Sequence, residues 1–174
     1  MKDRQRNYTI FFREEQKFRQ LWLLMIILAT SALPWIGFFY QIIFGHKFGN
    51  KPAPDLMIIL IWFLFGISLP TLFLKSKLIT EVRQDGIYLK FFPFHRKFKF
   101  FSFAEIESFE DKEYRPIREY GGWGIRYRFG KMAYNVYGNK GIQLIMKNKK
   151  NILIGSQKSY EFYKTIQRLK SEGV

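Results

Sequence analysis

Two long apolar runs, residues 21–44 and 56–74, constrain this chain more than any other feature. They are 24 and 19 residues long, contain no charged side chain, and are separated by only 11 residues. A helix of 19 residues rises about 28 Å, close to the roughly 30 Å thickness of the hydrocarbon core of a bilayer. Helices of this length without any charge are uncommon in soluble proteins. The sequence therefore predicts a transmembrane hairpin of two helices. The alternative is a pair of buried helices in a soluble core.

The distribution of Lys and Arg predicts how this hairpin is oriented. Six of these residues precede the first run and four lie in the 20 residues after the second, whereas the connecting loop has two. Cytoplasmic flanks of membrane helices carry an excess of Lys and Arg. We therefore expect a multi-pass protein of the inner (cytoplasmic) membrane, with both termini in the cytoplasm and residues 45–55 outside.

The segments on either side of the hairpin differ in character. Residues 1–20 carry a net charge of +3 and mix aromatic with basic side chains, which favours an interfacial helix leading into the membrane. A helix or strand packed on the C-terminal domain is the alternative. Residues 75–174 carry +11 of the total net charge of +15. Attraction of this domain to anionic headgroups and an ordinary solvated basic surface are the two interpretations of that charge.

Short alternating segments after residue 75 predict about seven antiparallel strands, with hairpin turns at Asp85-Gly86 and Gly130-Lys131. Apolar residues at helical spacing predict a final helix over residues 159–170. The predicted fold class is an α+β membrane protein in three segments. These are a basic interfacial segment (1–20), a transmembrane hairpin (21–74), and a cytoplasmic domain (75–174) built as a small antiparallel β-barrel capped by the C-terminal helix.

Four stretches of the chain resemble a family of bacterial membrane proteins with two helices followed by a pleckstrin-homology-like (PH-like) domain. The stretches are Phe18-Arg19-Gln20-x-Trp22, Tyr120-Gly121-Gly122-Trp123-Gly124-Ile125-Arg126, Ala133-Tyr134-Asn135-Val136-Tyr137-Gly138-Asn139-Lys140-Gly141 and Ile154-Gly155-Ser156-Gln157. The resemblance implies a PH-like fold and membrane anchoring. It implies no activity, substrate or catalytic residue.

A glycine-rich stretch around Trp123 is the most distinctive candidate site. Its glycines permit backbone angles that other residues resist and allow a ligand or another chain to approach closely. Neighbouring Arg side chains could hold an anionic ligand. The alternative is a structural bend with Trp123 filling the interior of the barrel. The residues predicted to bind a ligand or partner are Arg118, Tyr120, Gly121, Gly122, Trp123, Gly124 and Arg126.

A second candidate is a short basic patch that could contact lipid headgroups. Its residues would lie on a predicted strand over residues 94–101, whose polar face either points at the bilayer or is simply solvated. The residues predicted to contact headgroups are His95, Arg96, Lys97 and Lys99.

Catalytic chemistry has little support in the sequence. There is no Cys, which excludes disulfides, thiolate catalysis and Cys-ligated metals. No serine elbow, metal motif, phosphate loop or pair of catalytic carboxylates can be named, and the two His are 49 positions apart. We therefore predict a protein that is not an enzyme, with no catalytic residue, cofactor or metal site.

The function predicted from these features is a membrane-anchored PH-like binding or scaffolding module at the cytoplasmic leaflet. Its ligand would be a protein partner or anionic lipid. The alternative is an accessory subunit of a membrane transport or export complex that uses the hairpin as its interface. The predicted partners are the lipid bilayer, anionic phospholipid headgroups and another membrane protein. We expect no nucleic acid, because the chain lacks an aromatic and basic recognition motif.

Overall fold

The computed structural model describes residues 9–172, which divide into two compact units. One unit, the helical unit, contains residues 18–76. The other, the sheet unit, combines the described residues up to Lys17 with those from Lys77 onward. In sequence, the apolar runs are therefore inserted between two parts of the sheet unit.

Helices begin and end in the helical unit close to where the apolar runs predict. The first helical segment, Leu21–Ile43, has 23 residues and the second, Asp55–Lys75, has 21. Both are long and apolar enough to cross a membrane, judged by length and composition. The first consists of α1 (Leu21–Phe38) and a π-helical segment (Phe39–Ile43), and the second of α2 (Asp55–Ile61), a π-helical segment (Trp62–Ser68) and α3 (Leu69–Lys75).

The two helical segments meet through small residues and aromatic rings. Ser31 Oγ lies 2.9 Å from the carbonyl oxygen of Phe65, and Trp35 Nε1 donates to the carbonyl of Gly66 at 3.2 Å. A Cβ atom on Gly66 would lie 3.4 Å from Nε1 of Trp35 in the first segment, so the glycine permits this close approach. The small residues on these facing turns therefore serve contacts inside the hairpin.

The sheet unit begins with a four-stranded antiparallel sheet in the order β1-β2-β3-β4. Its strands are β1 (Ile10–Lys17), β2 (Lys77–Arg83), β3 (Gly86–Phe92) and β4 (Lys99–Ser102). β1 pairs with β2 from Ile10 opposite Arg83 to Lys17 opposite Lys77. The interfacial helix expected near the N-terminus is therefore wrong for residues 10–17, which form a strand of the sheet unit. Residues 1–8 of that segment lie outside the described residues.

A five-stranded sheet follows in the order β5-β8-β9-β7-β6. Its strands are β5 (Ile106–Glu113), β6 (Gly124–Arg128), β7 (Lys131–Asn135), β8 (Lys140–Met146) and β9 (Asn151–Gly155). β7 and β9 are parallel, with Lys131 opposite Asn151, and the other pairs are antiparallel. A short helix, α4 (Pro116–Tyr120), connects β5 to β6.

The C-terminal helix α5 (Ser159–Glu172) contacts both sheets. Phe162, which is fully buried, stacks on Phe12 of β1 with ring centroids 4.9 Å apart. Near the other end of the helix, Lys170 Nζ donates to the carbonyl of Ile106 in β5 at 2.7 Å. The predicted amphipathic helix is confirmed, and its apolar stripe of Phe162, Ile166 and Leu169 is buried.

Two open sheets take the place of the predicted closed barrel within residues 9–172. β4 has only four residues and is followed by a 3₁₀ turn (Phe103–Glu105), which interrupts hydrogen bonding before β5 begins. The predicted strand over residues 94–101 is correspondingly shorter. β3 instead leads into a turn region at Pro93, whose ring nitrogen cannot donate to a strand ladder.

Both predicted hairpin turns are shifted by one residue. Arg83 pairs with Gly86, so the first turn is Gln84-Asp85, and a Cβ on Gly86 would collide with the carbonyl oxygen of Phe101. The second turn is Phe129-Gly130, and both residues have positive φ, 50° and 74°. This pair of angles is what a two-residue hairpin turn of the primed type requires.

Candidate functional site

The glycine-rich stretch begins where α4 ends. Gly121 has φ 74°, a left-handed conformation that stops the helix, and its N–H donates to the carbonyl of Ile117 at 2.9 Å. At the start of α4, the Glu119 carboxylate accepts from the backbone N–H of Arg115 at 2.7 Å. Gly121 is therefore explained by helix termination, because glycine adopts this conformation without steric cost.

The bend after α4 is held by side-chain hydrogen bonds to its own sheet. Trp123 is half-buried, and its Nε1 donates to the carbonyl of Gly138 at 2.9 Å. The N–H of Gly124, at φ 118°, donates to Asn135 Oδ1 at 3.0 Å, and Asn135 Nδ2 donates to the hydroxyl of Tyr114 at 3.1 Å. These contacts fix where β6 begins, and they support the structural interpretation of Gly124 and Trp123.

Tyr120 points into the core of the sheet unit. It is 2% exposed, its hydroxyl donates to Gln143 Oε1 at 3.3 Å, and its ring lies 5.8 Å from that of Tyr114. Burial is the largest cause that raises the pKa of each phenol to about 12, and the charge of Glu119 adds to it. Both phenols are neutral at physiological pH, so Tyr120 acts as a core residue.

Arg side chains near the bend are exposed but bonded to backbone carbonyls. Arg126 Nε donates to the carbonyl of Trp123 at 2.8 Å, and Arg128 Nη1 donates to the carbonyl of Arg118 at 3.0 Å. Arg118 itself is exposed on α4. The structure thus places the predicted residues 118–126 together, as a basic surface around a buried bend.

The predicted basic patch lies around the turn after β3, and its residues face different ways. His95 Nδ1 accepts from the N–H of Phe91 at 3.2 Å, and Lys99 Nζ donates to the hydroxyl of Tyr134 at 2.7 Å. Partial burial, and then the charge of Lys99, lower the pKa of His95. Arg96 and Lys97 are exposed. Lys99 is exposed as well, so His95 is the one of the four predicted residues that is partly buried.

Sequence reasoning missed two polar residues of β1 that hold the sheet unit together. Glu14 and Gln16 are both buried. The Glu14 carboxylate accepts from the hydroxyl of Ser156 at 2.6 Å and from the N–H of Gln157 at 2.9 Å, and Gln16 Nε2 donates to the carbonyl of Gly155 at 2.7 Å. Their alternation with Phe12 was an available signal, since three residues spaced by two share one face of a strand.

Comparison with protein families gives one result that covers almost the whole chain. The model of a family of unknown function, DUF6141, matches residues 3–170. The chain belongs to this family. No curated protein and no solved structure shows significant similarity to it. The family match therefore covers most of both units.

Proposed function

We propose that this protein is a binding or scaffolding module anchored at the cytoplasmic leaflet of the inner membrane by its two apolar helical segments. The observation that carries the proposal is the exposure of the same residue type in the two units. Leu21 and Leu56 are 76% and 68% exposed, whereas Leu78 and Leu144 of the sheets are fully buried. Burying one Leu side chain stabilises a protein by about 1.5–3 kcal/mol. The exposed Leu side chains of the helical unit gain this free energy when lipid, rather than water, surrounds them.

The pairing of β1 with β2 supports a hairpin that enters and leaves on one side of the membrane. β1 precedes the apolar runs and β2 follows them, yet Lys17 lies directly opposite Lys77. Two strands of one sheet must be on the same side of a bilayer, so the chain between them crosses an even number of times. Two crossings satisfy this condition, and the excess of Lys and Arg on the flanks over the loop supports the proposal that this side is cytoplasmic.

The sheet unit is proposed as a divergent PH-like module. Three features support it: consecutive antiparallel strands β2, β3 and β4, a second sheet, and a C-terminal helix packed against both. Residues 77–174 of this unit carry a net charge of +10, which favours anionic ligands, so anionic lipid or an acidic protein partner is the proposed ligand class.

The alternative, an accessory subunit of a transport or export complex, has less support. It relies on small residues as an interface to another membrane protein, namely Ala29, Ser31, Ala32, Gly37, Gly66 and Ser68. Ser31 and Gly66 are used inside the hairpin, and Gly37 lies against the ring of Phe48. Co-purification of a stoichiometric membrane partner in mild detergent would favour this alternative.

Single-cysteine labelling in intact cells tests the proposed anchoring, and the chain has no Cys to interfere. Phe48→Cys places a thiol in the loop between the helices, and Tyr160→Cys places one at an exposed position of α5. A membrane-impermeant maleimide added outside the inner membrane should label position 48 and leave position 160 unlabelled until the membrane is opened. Labelling at 160 in sealed cells, or protection of both positions, would contradict the proposal.

A further inference from the structure

One end of the four-stranded sheet gathers basic and aromatic side chains from three strands. Lys17 is opposite Lys77, and Lys77 is opposite Phe92, so these residues lie side by side. The turn region 93–98 continues directly from Phe92 and therefore starts at the same end. We call this surface the exit end, and it consists of Lys17, Lys77, Phe92, Phe94, Arg96 and Lys97.

The exit end is a basic surface with exposed rings. Phe94 is 59% exposed and Phe92 is 38% exposed, and Arg96 and Lys97 are exposed beside them. The sequence from 93 to 98 contains no Asp or Glu. Glu15 supplies the nearby negative charge, and its carboxylate pairs with Lys77 at 3.0 Å. Four cations against one carboxylate leave a net positive surface.

Chain connectivity gives this end a special position. Lys17 is the last residue of the sheet unit before the helical unit, and Lys77 is the first residue after it. If the apolar segments are embedded in lipid, Lys17 and Lys77 cannot leave the membrane surface by more than the reach of one to three residues, whereas the turn with Phe94, Arg96 and Lys97 is not tethered in this way. The inference that follows rests on the proposed membrane anchoring.

We infer that the exit end binds the headgroups of anionic phospholipids. Arg96 and Lys97 contact phosphate oxygens, Lys17 adds a further positive charge, and Phe94 enters the interfacial layer. His95 and Lys99 are left out of this surface because their side chains are hydrogen-bonded to the backbone of Phe91 and to the hydroxyl of Tyr134. The sheet unit is thereby held against the bilayer on its Arg96–Lys97 side.

Fluorescence of a label at position 94 tests this inference on the full chain, because β1 lies before the helical unit and cannot be omitted. Phe94→Cys is labelled with an environment-sensitive fluorophore and reconstituted in nanodiscs of phosphatidylcholine with or without phosphatidylglycerol. Quenching by lipids spin-labelled near the headgroup should appear with phosphatidylglycerol and be lost at about 1 M salt, where the Debye length falls to about 3 Å. Adding Arg96→Gln and Lys97→Gln should lower the ratio of docked to free label roughly 30-fold, which corresponds to about 2 kcal/mol.

A matched control uses the turn between β8 and β9, which is also basic. This turn lies at the start of β9, whereas Gly155 at the end of β9 is bonded to Gln16, the neighbour of Lys17. The label at Asn148→Cys should stay unquenched, and Lys147→Gln with Lys150→Gln should leave quenching at position 94 unchanged. Absence of quenching at 94, equal quenching at 148, or an equal effect of both charge pairs would overturn the inference. If the chain does not enter nanodiscs at all, the proposed anchoring fails instead, so the two failures are distinguishable.

Discussion

The helical unit and the sheet unit place similar apolar side chains in opposite surroundings. In the sheet unit, Leu89, Leu153 and Phe162 are fully buried, whereas Leu33, Phe63 and Leu74 of the helical unit are more than half exposed. The sheet unit forms its own core and carries most of the charge of the chain. The helical unit has little interior, and its segments meet through small residues, aromatic rings and a hydrogen bond from Gln41 to Asp55. This difference supports the proposal that lipid covers the apolar surface of the helical unit.

The largest expected effect comes from placing a charge in a helix. Leu64→Arg, in the middle of the second helical segment, should disfavour membrane insertion by about 3–4 kcal/mol, because Arg replaces a residue that favours lipid. The fraction of chains recovered in membranes measures it. Tyr160→Arg at an exposed position of α5 is the control. It should leave the fraction recovered in membranes unchanged and alter the free energy of unfolding by no more than about 0.5 kcal/mol. Equal recovery of both variants would remove the contrast between the two units.

A smaller effect is expected where β1 is attached to the second sheet. Glu14→Ala removes the acceptor for Ser156 and Gln157 and should lower the free energy of opening of the sheet unit by about 2 kcal/mol. Hydrogen exchange of the β9 amides in detergent measures this loss. Glu15→Ala is the neighbouring control, and its exposed pair with Lys77 should contribute less than about 1 kcal/mol. A similar loss in both variants would show that the buried position of Glu14 has no special role.

The third expected effect appears only at high pH and separates the two units. The pKa values of Tyr114 and Tyr120 are raised to about 12 in the folded chain from an ordinary value of 10. Their contribution to stability is therefore complete below pH 10 and is lost as pH rises through 12. Hydrogen exchange should show the sheet unit loosening over that window, while Tyr114→Phe reduces the pH dependence. An unchanged profile in Tyr114→Phe would mean that this phenol does not titrate as its burial requires.

Much of the fold follows from local sequence signals, because those signals act over a few residues. The helical segments and the helix α5 lie close to their predicted bounds, and paired strands flank both predicted hairpin turns. The second turn was predicted one residue too late because Phe is intrinsically disfavoured at a positive φ, and Phe129 has φ 50°. The pairing of Arg128 with Lys131 nevertheless makes Phe129 a turn residue.

Long-range pairing explains what could not be predicted. β1 is separated from β2 by the whole helical unit, and no local sequence pattern predicts that Lys17 pairs with Lys77. The parallel contact of β7 with β9 likewise depends on a strand order that alternation does not encode. For the site, the sequence marked Tyr120 and His95 as available side chains, whereas burial and the bonds to Gln143 and Phe91 occupy them.

Extraction of cell membranes with alkaline carbonate tests the central claim most directly, because it strips proteins held by charge and leaves those embedded in lipid. The full-length chain should stay in the membrane pellet even where high pH loosens the sheet unit. Release of the full-length chain into the supernatant would contradict the account, since the exposed apolar surface of the helical unit would then have to be covered by something other than lipid.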